Sequence, residues 1–201
     1  MIELPEDLPA DLVPLSWLIG VWEGTGVIDY RVGDTHFEGE FSHRVSFSHD
    51  GGPFLNYSAS ATLAGPDGAP GRALNAETGF WRVARAATAA EPGPGLLPPR
   101  EAEVLRTAED VEQLRNAAGG FDIEVSLVHS DGVSELYLGQ VKGPRIDLAT
   151  DAVVRTASAR NYAAATRMYG LVEGHLLWGW DIAALGRELG SHASARLAKV
   201  S

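Results

Sequence analysis

Two segments of this chain, Phe121 to His129 and Val133 to Val141, alternate apolar and polar residues and are separated only by Ser130-Asp131-Gly132. An Asp-Gly step between alternating segments marks a hairpin, because these residues accept the positive φ values that a tight turn requires. Strands joined so closely must run antiparallel, since parallel pairing needs a long crossover. The same punctuation recurs along the chain. Lys142-Gly143-Pro144 turns into Arg145 to Thr150, and Glu173-Gly174 joins a strand over Tyr162 to Val172 to another over His175 to Leu185. In the latter, Leu176, Trp178, Trp180 and Ile182 fall on one face. Further strands are expected over Trp22 to Tyr30, Gly39 to Phe47, Pro53 to Leu63, Leu74 to Arg85 and Leu189 to Val200. Leu12 to Ile19, interrupted by Pro14, is expected to form one or two helical turns leading into the first strand. About ten strands with only short helical segments predict an all-β fold: a closed antiparallel up-and-down β-barrel, lipocalin-like, with room for one ligand.

A length of 201 residues suits a single domain. One stretch, about 86–120, breaks the strand pattern. It opens on a Pro/Gly/Ala-rich loop, and Arg100 to Ala117 then shows helical spacing, with Leu105, Val111 and Leu114 among charges. So long an irregular segment is expected to be a surface insertion, the alternative being a lid.

The formal net charge is −11, and the 16 Lys and Arg residues are scattered. Neither nucleic acid nor an anionic membrane is therefore an expected partner. Cysteine is absent, which excludes disulfides, zinc–thiolate sites and thiolate-ligated haem. The first residues, Met1 to Asp7, are acidic and lack an apolar run, and no stretch is long enough to span a bilayer. A cytoplasmic location is expected.

The most specific local pattern is Gly20-Val21-Trp22-Glu23-Gly24-Thr25-Gly26. Gly20, Trp22, Gly24 and Gly26 share one face of a strand. The glycines remove side chains where something approaches closely, and Trp22 is expected to plug one end of the barrel. Direct ligand contact is the alternative. Glu77, in Asn75-Ala76-Glu77-Thr78, has no histidine or carboxylate partner at meaningful sequence spacing. A structural hydrogen-bonding role is expected for it.

Taken in order, four blocks of this sequence resemble the nitrobindin family. They are the glycine–tryptophan signature, Phe47 to Tyr57 (FSHDGGPFLNY), Leu74 to Phe80 (LNAETGF) and the tail Leu189 to Leu197 (LGSHASARL). Nitrobindins are haem-binding ten-stranded barrels related in architecture to fatty-acid-binding proteins. The resemblance implies one ferric haem b per chain, isomerisation of peroxynitrite to nitrate, and reversible binding of nitric oxide. There are two departures: a short insertion after Tyr30 brings Thr35 to the family's threonine, and Asn75 replaces a histidine of the third block.

Side-chain ligands for haem iron are His, Cys, Met or Tyr. Without cysteine, and with methionine only at Met1 and Met168, six histidines and five tyrosines remain. The resemblance puts His192 at the axial position and matches Arg160 to a basic residue that meets a haem propionate. Its remaining imidazole nitrogen would want an acceptor. His36 is the remaining distal candidate, though a surface position is expected for it. His49 is expected in a turn, and His43, His129 and His175 are expected to face solvent or strand neighbours. No protein acid–base residue is required beyond the iron. Two rival functions fit the same barrel: a non-catalytic carrier of an apolar molecule, and a nitric oxide sensor. A homodimer is compatible with either.

Overall fold

The computed structural model describes residues 8–65, 70–102 and 106–201. Ten strands run in chain order. The first five are β1 (Gly20–Val32), β2 (Thr35–Ser48), β3 (Leu55–Ala64), β4 (Pro70–Val83) and β5 (Phe121–His129). The second five are β6 (Val133–Lys142), β7 (Arg145–Arg155), β8 (Tyr162–Val172), β9 (His175–Ala184) and β10 (Gly190–Lys199). Each pairs antiparallel with its sequence neighbour, and β1 closes the ring on β10. The expected closed barrel is thus observed, with β5 and β8 at the expected boundaries. Closure removes exposed sheet edges. The period-2 pattern fills the interior: Phe41, Val45 and Phe47 from β2, Leu55 and Tyr57 from β3, and Ile123, Val125 and Leu127 from β5 are all buried.

The two rims differ. A 3-10 helix, Ala10–Leu18, buries Leu12, Leu15, Trp17 and Leu18 and packs on β4 and β6 at the rim where β1 begins. Trp22 is 2% exposed there, and its indole Nε1 donates to Leu18 O at 2.7 Å. It therefore plugs this end. The glycines of its motif serve the seam beside it. A Cβ on Gly24 would come within 2.2 Å of Arg196 O, and one on Gly26 within 2.3 Å of Ser194 O. Side chains at these positions would push β10 away from β1.

The segment between β4 and β5 leaves from this same plugged rim. Its ends are neighbours, since Ala84 N donates to Asp122 O at 2.8 Å. The helix expected over 100–117 is only α1, Ala108–Glu112, while residues 103–105 lie outside the described residues. Thr107 caps α1 through a capping box with Asp110. The turn at Asn116 to Gly120 ends the helical region. Val111 is buried, and α1 packs on the 3-10 helix. Asp11 links the two segments through Arg85 at 2.8 Å and Arg106 at 3.9 Å. The excursion is thus partly packed, and it lies away from the opposite rim. Replacing 100–117 by a short Gly/Ser link is expected to keep the strand circular dichroism and lower the thermal midpoint, because α1 no longer covers the helix. Loss of cooperative unfolding in that variant would instead make this segment part of the core.

The opposite rim carries the β1–β2, β3–β4, β5–β6, β7–β8 and β9–β10 connections. Among the described residues, no helix is long and apolar enough to cross a membrane.

Candidate functional site

His192 lies on β10 near the open rim. Ala193, Ala195 and Leu197 of this strand face inward and are buried. Strict alternation would therefore send His192 outward. The ladder is irregular at this point: Ser191 pairs with Asp181 and Ala193 with Trp180, which leaves His192 as the extra residue of a bulge. A bulge re-aims a side chain. The His192 ring is half-buried, with its centroid 4.8 Å from Tyr30 and 5.3 Å from Trp180, and it meets both rings edge to face. Its Nδ1 is buried with no hydrogen-bond partner among the described residues. Burial lowers its pKa from 6.5 to about 4, so the ring is neutral at pH 7 and keeps a free lone pair.

Other sequence-derived candidates share this rim. Thr35 pairs with Val32 at the exposed β1–β2 turn. Arg160 is exposed in the β7–β8 connection, where its carbonyl accepts from Arg155. No hydrogen bond joins either to His192 among the described residues. Sequence reasoning missed Arg187. Its guanidinium lies 5.7 Å from the centroid of the Tyr30 ring and donates to Arg31 O. His36 is exposed on the hairpin and bonds Asp29 at 2.8 Å, as expected for a surface histidine. His49 accepts from Gly51 N in its turn.

Beneath this rim lies a buried polar cluster. Glu77 takes the structural hydrogen-bonding role expected of it, with partners brought to it from other strands. Arg167, 2% exposed, donates to both of its oxygens at 2.6 and 2.8 Å and reaches Glu135 at 3.4 Å. His129, expected to face solvent or strand neighbours, is 7% exposed and faces neighbours on β4 and β6. Its Nε2 lies 2.6 Å from Glu135 and its Nδ1 3.3 Å from Glu77. Asn75, at the position of the family's histidine, bonds His129 Nδ1 at 3.2 Å. Tyr57 donates to Glu77, and Tyr137 and Tyr162 donate to Glu135. Burial alone would raise the Glu77 pKa, but the charge and hydrogen bonds of Arg167 outweigh it and bring it down to about 2. The Arg167 guanidinium also lies 4.7 Å from the Trp180 ring centroid. The cluster thus braces the indole that touches His192.

His43 likewise faces a strand neighbour rather than solvent. It is 6% exposed, its ring centroid lies 4.8 Å from that of Trp178 with the planes tilted by 37°, and its Nδ1 donates to Ser60 O at 3.0 Å. Its Nε2 is buried without a partner. The sequence offered one signal for these inward histidines, the alternation of β2 and β5, which puts His43 in phase with Phe41 and Val45 and His129 in phase with Leu127.

A pocket that would hold haem through histidine needs a neutral imidazole, flat aromatic walls and cations at its mouth for the propionates. His192, Tyr30, Trp180 and the arginines of the rim meet that description. The family model for a THAP4-like, heme-binding beta-barrel domain matches residues 11–199. The chain belongs to this family. Its members include close relatives called peroxynitrite isomerase. That of Leifsonia xyli is 64% identical over 199 residues, covering 99% of each chain. That of Clavibacter michiganensis is 60% identical over 200 residues, covering all of both. The barrel fold is shared by a more distant solved structure. The crystal structure of Rv2717c from M. tuberculosis superposes with a TM-score of 0.66 at 24% identity, over 99% of this chain and 100% of that one. This last likeness speaks for the fold alone.

Proposed function

We propose that this chain is a haem-dependent peroxynitrite isomerase that holds one ferric haem b through His192. The observation that carries the reading is the re-aimed imidazole of the β10 bulge, half-buried and neutral, with no hydrogen bond to either ring nitrogen among the described residues, so that Nε2 is free for iron. The family match and the names of the relatives support the chemistry.

When bound, the ferric haem supplies a Lewis acid for the peroxynitrite anion, whose rearrangement to nitrate conserves every atom. The protein's own part is binding and orientation. His192 donates a lone pair, while Tyr30 and Trp180 fix its ring and keep water from one side of it. Arg160 and Arg187 supply positive charge at the mouth for propionates, and Thr35 stands on the same rim. Reversible nitric oxide binding and a cytoplasmic setting belong to the same proposal.

Titration of the apoprotein with hemin tests it. A Soret band that saturates at one haem per chain, with faster peroxynitrite decay to nitrate in the loaded protein, is the expected result. Hemin that stays in its free form would favour the carrier of an apolar molecule instead.

A further inference from the structure

A histidine that ligates a metal usually donates its other ring N–H to a carboxylate, a carbonyl or water, and that bond sets the orientation of the ring. His192 departs from this pattern. Its Nδ1 is buried, and no hydrogen bond reaches it among the described residues. Something else must fix a ring that sits on an irregular strand. The contacts that do so are aromatic. Tyr30 meets the ring at an interplanar angle of 89° and Trp180 at 84°, with centroids at 4.8 and 5.3 Å. Edge-to-face contacts at such distances are favourable and directional, because a ring edge is positive and a ring face negative.

Both clamping rings are held from elsewhere. The Tyr30 hydroxyl donates to Ala184 O at 3.0 Å, and Arg187 lies over its ring. Trp180 pairs across the ladder with Ala193 on one side and with Arg167 on the other. The Arg167 guanidinium covers the indole and is itself fixed by Glu77 and Tyr137. His129 stacks on the same indole at an interplanar angle of 17°.

We infer that Trp180 is the positioning residue for His192: with Tyr30 it orients the imidazole by packing, in place of the missing hydrogen bond. The buried Glu77–Arg167 pair acts at the iron only through this indole. The inference rests on the proposal that His192 ligates haem.

The test is a double-mutant cycle on hemin affinity. Trp180→Leu is expected to weaken hemin binding about tenfold, the scale of losing an outer-shell partner. It should also broaden or shift the ferric Soret band. Trp180→Phe, which keeps an aromatic partner, is expected to restore most of both. The decisive measurement repeats Trp180→Leu in a His192→Ala background, where the penalty should vanish. A penalty of the same size in both backgrounds would mean that Trp180 contacts haem or supports the barrel directly, and would overturn the inference. Tyr30→Leu in the two backgrounds gives an independent cycle should Trp180→Leu fail to fold. Failure of the ligation proposal looks different, since His192→Ala alone would then leave hemin affinity unchanged. The NMR signals of the His192 ring in the apoprotein add a readout without haem: a single orientation in the parent, and averaging over several in Trp180→Leu.

Discussion

His192→Ala is expected to retain the barrel and lose most of its hemin affinity, together with the acceleration of peroxynitrite decay. The ring makes no hydrogen bond through Nδ1, and its neighbours Tyr30 and Trp180 touch it only through ring contacts. Its removal therefore leaves no buried polar partner stranded. A cost of about 1–2 kcal/mol in unfolding free energy is expected, in line with modest loss of packing. The effect on haem should be far larger, because the axial bond disappears altogether. Hemin titration by absorbance, alongside circular dichroism, separates the two effects. His175→Ala is the control, since that ring lies at the other rim, where its Nδ1 donates to Glu173 O at 3.0 Å. A His192→Ala protein with the parent's hemin affinity and Soret band would refute axial ligation by His192, and the carrier reading would then gain ground.

Removing one member of the interior ion pair should have the largest effect on folding. Glu77→Leu leaves buried Arg167 with a 3.0 Å bond to the Tyr137 hydroxyl and a 3.4 Å contact to Glu135 in place of its two-pronged carboxylate bond. Breaking a buried pair in this way typically costs about 3–5 kcal/mol, much of it the penalty of stranding the remaining charge. Urea unfolding of the apoprotein at pH 7 measures it. Combining Glu77→Leu with Arg167→Leu should recover part of the loss, because the stranded guanidinium is then gone and Glu135 keeps its bonds to His129, Tyr137 and Tyr162. Acid gives a second view of the same pair. The Glu77 pKa of about 2 in the folded chain lies below its ordinary 4.5. The unfolded chain therefore takes up this proton first as pH falls. The stability it contributes is full above about pH 4.5 and is lost as pH drops from there towards 2, by about 3 kcal/mol in all. Glu77→Leu should flatten that part of the pH profile. An unchanged slope in the variant would assign acid sensitivity to other groups.

These two expectations draw on different levels of the molecule. Tight turns such as Asp131-Gly132, together with period-2 alternation, determined an antiparallel barrel of about ten strands, because a chain that reverses in so few residues has little choice of topology. The same local rules put Trp22 inward and plugging one end, and the motif blocks carried the family and pointed to His192. Alternation puts His43 and His129 in phase with inward residues, but the sequence alone left them facing solvent or strand neighbours, because isolated histidines are more often exposed.

The rest was decided by tertiary structure. Glu77 and Arg167 are 90 positions apart in sequence, and only closure of the sheet brings them together. No local spacing encodes such a meeting. Among the described residues of 100–117, the helix is Ala108–Glu112 and buries Val111. Above all, the alternation of Ala193, Ala195 and Leu197 taken alone turns His192 out to solvent. One extra residue in the ladder opposite Trp180 and Asp181 turns it back towards Tyr30 and Trp180. A bulge depends on how two strands register against each other, and that register is set by the barrel as a whole.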